Sequence, residues 1–199
     1  MWSWNVLGVA LWVAVIVYLV FVIKNIRQRR LKMIITRQRT FEVKNFLLSC
    51  LEVAVLLVAI AFLGWETLFK KPDLTDRSQV ESCVTYHALV LEPSAVKSYY
   101  VKEAAGSYVY YVNGKKYTVP TSKAAVVTEA SPAGAASTSG VPFSKAALVK
   151  KDAQYQKAYV AVYEASYKNT AANGLGMHAS KSAKRFYLIR VPDASFVEK

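Results

Sequence analysis

The sequence predicts an N-terminal transmembrane α-helical hairpin followed by an extracytoplasmic, mainly β domain, with α+β as the alternative for the latter. Three observations predict it: two long apolar runs near the N-terminus, a strongly basic connection between them, and a sharp change of composition from Pro72 onward. The expected boundaries are spans at about 5–23 and 46–66, a cytoplasmic loop at 24–45, and an outer domain over 72–199.

The first run, Val6–Ile23 (VLGVALWVAVIVYLVFVI), contains 18 residues and no charge. The second, Phe46–Trp65 (FLLSCLEVAVLLVAIAFLGW), contains 20 residues and one charge, Glu52. At about 1.5 Å of rise per residue each covers roughly 27–30 Å, the thickness of a bilayer's hydrocarbon core. Both are apolar all round, whereas the helices of a soluble core keep a polar face. Glu52 does not prevent insertion. Its carboxyl costs at most about 3 kcal/mol near mid-span, against about −5 kcal/mol from the Leu, Val, Ile and Phe residues around it. The first run is not the pattern of a cleaved signal peptide, because Met1–Asn5 (MWSWN) is uncharged and the positive charges follow the apolar stretch. Trp2 and Trp4 suit an interfacial anchor.

Between the runs lies KNIRQRRLKMIITRQRTFEVKN, with eight basic residues: Lys24, Arg27, Arg29, Arg30, Lys32, Arg37, Arg39 and Lys44. Read alone it looks like a nucleic-acid-binding arm. That chemistry needs stacking aromatics or a recognisable fold among the charges, and only Phe41 is present. The positive-inside rule accounts for the segment better: only Lys70 and Lys71 lie just beyond the second span. The loop is therefore expected in the cytoplasm, with both termini outside. Interleaved Ile26, Leu31, Met33, Ile34 and Ile35 suit contact with the inner lipid surface, where each basic residue gains about 1 kcal/mol from anionic lipid. No nucleic-acid partner is expected.

A carboxyl within a span is a functional candidate by default. Glu52 falls about 10 Å inside the second run, and the matching depth on the first is near Tyr18. A Tyr18–Glu52 hydrogen bond is the structural expectation, and contact with another membrane protein is the assembly expectation.

The outer segment has no Trp but 12 of the 13 Tyr, and sixteen Lys/Arg against ten Asp/Glu. Its strongest local signal is Ser107–Val112, Asn113-Gly114 and Lys115–Pro120. Asn-Gly takes the positive φ angles of a type I′ turn, which matches the twist of paired strands. A two-residue loop there sets Tyr110 opposite Tyr117, Tyr108 opposite Val119 and Val109 opposite Thr118. Further strands are expected at Ser82–Leu91, Val96–Glu103, Ala124–Glu129, Lys157–Tyr167 and Lys184–Val191. Tyr155, Tyr159, Tyr163 and Tyr167 recur every four residues, which fits a helix face or a strand face. The alternation in AYVAVYEASY favours a strand, whose tyrosines pack rather than form a ligand platform. Residues 130–140 read as a flexible loop and 169–184 as a second. The near-repeat of Ser122-Lys123-Ala-Ala-Val-Val127 in Ser144-Lys145-Ala-Ala-Leu-Val149 signals two related units or coincidence.

Chemistry-bearing patterns are sparse. Cys50 lies in a span and Cys83 beyond it, so no disulfide is expected. Cys83 and His87 have ligand-like spacing, but only His178 could join them and zinc needs three or four ligands, so no metal or other cofactor is expected. Ser94–Lys97 matches Ser-x-x-Lys, a match expected by chance among 16 Ser and 18 Lys, and the elements that accompany it in penicillin-binding enzymes are missing. An enzyme is not expected.

The MWSW-led span, the RQRR…RQR loop, the Glu-bearing second span and the Tyr/Lys-rich domain together resemble uncharacterised two-span membrane proteins of lactobacilli. The resemblance implies a Gram-positive cell envelope and carries no activity or site residues. The functional expectation is a membrane-anchored envelope protein displaying a basic, Tyr-rich interaction domain. Its candidate partners are the bilayer itself, an anionic wall polymer, lipid headgroups or another membrane protein. The alternative is an accessory subunit of a membrane complex, assembled through Glu52 and the spans.

Overall fold

The computed structural model describes residues 3–37, 43–92, 98–128 and 140–198. Arg39, Ser94, Lys97 and all of the expected 130–140 loop except Gly140 lie outside them. The chain forms two compact units, Met1–Lys71 with Tyr167–Lys181, and Pro72–Ser166 with Ser182–Lys199.

The first unit is built on α1 (Asn5–Arg37) and α2 (Val43–Gly64), the latter continued by a π turn over Trp65–Phe69. Both are long and apolar enough to cross a membrane. Their apolar side chains face outward: Val17 is 62% exposed and Val58 69%, which a soluble core helix would not tolerate. Among the described residues of α1 and α2, the buried apolar side chains are Val22, Leu56 and Leu63. The helix α1 does not stop where its apolar run ends. Much of the segment expected to be a basic loop continues as helix to Arg37. Lys, Arg, Gln, Leu and Met are strong helix formers, and nothing from Lys24 to Arg37 breaks a helix.

The expected 169–184 loop also departs from its reading. Ala171–Leu175 forms a short helix, α4, started by Thr170, whose Oγ1 accepts from the Asn173 amide at 3.4 Å. This segment docks on the start of α1. Asn5 and Ala179 bond reciprocally, Nδ2 donating to the carbonyl at 3.0 Å and the Ala179 amide donating to Oδ1 at 2.9 Å. The Trp4 amide donates to Asn169 Oδ1 at 3.0 Å. The approach requires glycine: a Cβ on Gly8 would lie 2.6 Å from the Gly174 carbonyl oxygen, and one on Gly174 would collide with the backbone of Trp4.

The second unit contains two four-stranded sheets. Its strands are β1 (Val80–Ala88), β2 (Val101–Ala104), β3 (Ser107–Val112), β4 (Lys115–Pro120), β5 (Ala124–Val127), β6 (Tyr159–Tyr167), β7 (Ser182–Arg190) and β8 (Val197–Glu198). The strand orders are β1-β6-β7-β5 and β4-β3-β2-β8. The β3–β4 register is the expected one, with Tyr110 opposite Tyr117, Tyr108 opposite Val119 and Val109 opposite Thr118. Asn113 and Gly114 supply the turn at φ 50° and 74°. Each segment expected as strand contains one, with shifted ends: β1 runs Val80–Ala88, β6 begins at Tyr159 and β7 spans Ser182–Arg190. Val96, Lys97 and Glu129 of the expected spans lie outside the described residues.

Helix α3 (Lys145–Gln154), begun by Ser144, was not expected. The near-repeat therefore marks no repeated unit: its first copy forms a 3-10 turn and β5, its second the start of α3. The β6–β7 pair is covered on both sides. Val160 and Ile189 pack with Val101, Tyr110, Val112 and Val119 of the other sheet, while Tyr159, Ala161 and Leu188 pack with Leu148 of α3. Alternate residues thus enter two different cores, which is why β6 reads as a nearly continuous apolar run. Tyr159 and Tyr163 are buried, so half of the tyrosine stripe is packing.

Candidate functional site: a tyrosine-lined cleft

Beside the inter-sheet core the second unit holds a cleft of about 320 Å³, lined in part by Tyr110, Val112 and Val160 of that core. The strand period determines its lining. On β1, Val84 and Tyr86 pack on the α3 side, so Thr85 and His87 point the other way, into the cleft. Val160 and Val162 of β6 form an apolar floor, and Glu164 continues the same face to the rim. Tyr187 and Arg185 do the same on β7, while Asn113 stands at the tip of the β3–β4 hairpin.

Tyr110 and Tyr117, opposed across that hairpin, stack with centroids 5.7 Å apart and planes at 13°. Tyr110 is almost fully buried and Tyr117 is 43% exposed, so the pair is a fixed ring backed by the core and a second ring open to solvent. Burial pushes the Tyr110 hydroxyl well above the usual tyrosine range, with Tyr187 and Tyr117 adding to the shift. Glu164 and Arg185 are cross-strand partners, and Arg185 Nε donates to Glu164 Oε1 at 2.6 Å. The wall is therefore a neutralised ion pair beside three phenols, a histidine and an amide. It offers flat apolar faces and several hydrogen-bonding groups, a combination that suits binding.

Elsewhere the polar chemistry of the second unit ties elements together. Asp152 of α3 accepts from Arg190 of β7, Nη2 to Oδ2 at 3.1 Å, and from the Tyr159 hydroxyl at 2.9 Å. Lys151 lies over the rings of Tyr86 and Tyr155 at 5.3 and 5.4 Å from their centroids.

The Tyr18 hydroxyl donates to the backbone carbonyl of Glu52 at 3.5 Å, not to its carboxylate. That carboxylate is held by Asn25, whose Nδ2 donates to Oε1 at 2.8 Å, and by an ion pair with Arg29. Arg29, expected among the loop charges, is carried by the continuation of α1 to Glu52 of α2, and Arg30 lines the groove between the two helices. Lys24, Arg27 and Lys32 are exposed, as is Lys44, and for Arg37 only the backbone is described. Cys50 and Cys83 are free and exposed. His87 lines the cleft, and His178 stacks on Tyr167 in the first unit at 5.2 Å between centroids. Among the described residues, no three His, Cys, Asp or Glu side chains cluster as metal ligands do.

A protein-family model matches residues 3–198, through both units. The chain belongs to that family. It is an uncharacterised family, as the resemblance read from the sequence anticipated, and it brings no activity to the cleft. No curated protein matches significantly. Nor does any solved structure.

The cleft itself was not legible in the sequence. Tyr110, Tyr117 and Tyr187 were visible as strand tyrosines, but their convergence with His87 requires two sheets to face one another. The one usable signal was the Asn-Gly turn, which pairs Tyr110 with Tyr117.

Proposed function

We propose that the protein is a membrane-anchored envelope protein, with both termini outside, whose outer domain binds an anionic cell-wall polymer in the tyrosine-lined cleft. The stacked Tyr110–Tyr117 pair lining the inter-sheet cleft carries this reading. Sugar and polyol units present C–H faces that pack on phenol rings, and their hydroxyls suit the Glu164–Arg185 pair and Asn113. The phosphates of such a polymer are drawn by Lys115 and Lys116, exposed just after the hairpin turn, and by the net positive charge of the segment. Outward-facing apolar helices support anchoring in a bilayer. The Asn5–Ala179 pair supports an even number of spans, because it joins the start of α1 to a segment that follows α2. Eight basic residues between the spans support the orientation.

The accessory-subunit alternative rests on Glu52 and the spans. Arg29 and Asn25 engage Glu52 Oε1 within the hairpin, which favours the binding reading.

The test uses the full chain in nanodiscs and isolated, phosphate-bearing wall polymer. Expected is retention at low salt, release at high salt, and a loss of at least about tenfold in affinity for Tyr117→Ala, a typical cost for a recognition aromatic. Failure to retain polymer at low salt, or full affinity in the Tyr117→Ala protein, would overturn the proposal.

A further inference from the structure

The helical hairpin holds a second cavity, unrelated to the cleft. A groove of about 580 Å³ opens between α1 and α2 at the end nearest their connection. One wall is Ile26, Arg29, Arg30, Met33 and Ile34 of α1, the spacing of a single helix face. The facing wall runs from Asn45 to Leu57 on α2. That length is about 18 Å, close to one leaflet of a bilayer whose apolar core is about 30 Å thick. Val53, Ala54 and Leu57 line the end away from the connection, Arg29, Arg30 and Ser49 the middle, and Met33, Ile34, Asn45 and Phe46 the end next to the connection.

Charge complementarity identifies the occupant. Two guanidinium groups reach the groove, and Glu52 balances one of them. Among the described residues, Arg29 Nη1 and Glu52 Oε2 are both buried without a hydrogen-bond partner, whereas Arg30 lines the groove and is exposed, with no ion pair there to balance it. The pair of Arg29 with Glu52 is neutral in sum, so the charge left over in the groove is the Arg30 guanidinium, which an anionic oxygen matches by a charge-assisted hydrogen bond. We propose that the groove seats one anionic phospholipid, its phosphate against Arg29 and Arg30 and one acyl chain along Val53, Ala54 and Leu57. Bilayer attraction to the basic segment in general would involve Arg27 and Lys32 equally, but neither lines the groove. A site therefore makes a distinction between arginines that a diffuse surface field does not.

The experiment is native mass spectrometry of the full chain released from mixed phosphatidylglycerol/phosphatidylcholine vesicles, counting lipids retained per protein. One retained phosphatidylglycerol in preference to phosphatidylcholine is expected. Arg30→Gln should reduce that preference about fivefold, the effect of one basic residue near an anionic headgroup. Ala54→Phe, which fills the apolar end and leaves every charge in place, should abolish retention. Arg27→Gln should retain the lipid as the parent does. Equal retention of both lipids, equal loss from Arg27→Gln and Arg30→Gln, or undiminished retention by Ala54→Phe would each overturn the proposal. So would a co-purifying protein lost with Ala54→Phe while lipid retention stays unchanged, because the groove would then belong to a partner helix. None of these outcomes bears on polymer binding, since Tyr117 and Ala54 lie in separate units.

Discussion

Glu52 and the tyrosines show how far a residue's neighbours decide its chemistry. Glu52 is identifiable from sequence as the acid in an apolar run, and the expected Tyr18–Glu52 hydrogen bond is present. That bond runs to the Glu52 carbonyl, whereas the carboxylate meets Arg29, carried there by the continuation of α1. The tyrosines divide by environment in the same way. Tyr110 and Tyr159 are raised first by burial, and Tyr111 is pushed up to about 12, first by its hydrogen bond to Glu92. Each shift means that the fold favours the neutral phenol over the unfolded chain, where tyrosine ionises near 10. Their stabilising contribution is therefore complete below about pH 10 and is lost as pH rises through the folded values. Thermal melting should stay level up to about pH 10 and fall steeply toward pH 12, with tyrosinate absorbance rising in more than one step. Ionisation of all tyrosines in a single step near 10, without loss of stability, would contradict these environments.

Elements were legible where local chemistry settles them. Asn113-Gly114 fixes a hairpin and its register because few other dipeptides adopt two positive φ angles. The β2–β3 turn at Ala105-Gly106 does the same job at φ 46° and 75°, yet Ala105 carries no such signal. The near-repeat shows the limit from the other side: almost the same hexapeptide becomes strand in one place and helix in another, according to what it packs against. The α4 segment was the element hardest to foresee, because its structure comes from docking on α1. Gly174→Ala should therefore act locally. Overpacking against Trp4 is expected to cost about 1–3 kcal/mol, lowering amide-exchange protection over 169–181 by about fivefold to a hundredfold. Protection in the inter-sheet core should be unchanged. Equal loss of protection across both regions would show that α4 is not an independently docked element.

On the scale of the molecule, orientation in the membrane becomes testable through the two cysteines. Cys83 is exposed on β1, and Cys50 lies on α2 among apolar residues. In intact cells a membrane-impermeant thiol reagent should label Cys83 and leave Cys50 unmodified, and Cys83→Ser should remove the signal. Labelling that needs permeabilised cells would place the second unit in the cytoplasm and invert the topology. The amino-acid sequence by itself determined the two membrane-length helices, the strand content and the β3–β4 register. Those follow from the length of apolar runs, the two-residue period of strands and the stereochemistry of one turn, all of which act over a few residues. Only the tertiary structure decided that Arg29 meets Glu52, that three tyrosines and His87 share a cleft, and that Gly8 and Gly174 fit together. Each of those depends on residues far apart in the chain being brought within a few ångströms, and no local propensity records that distance.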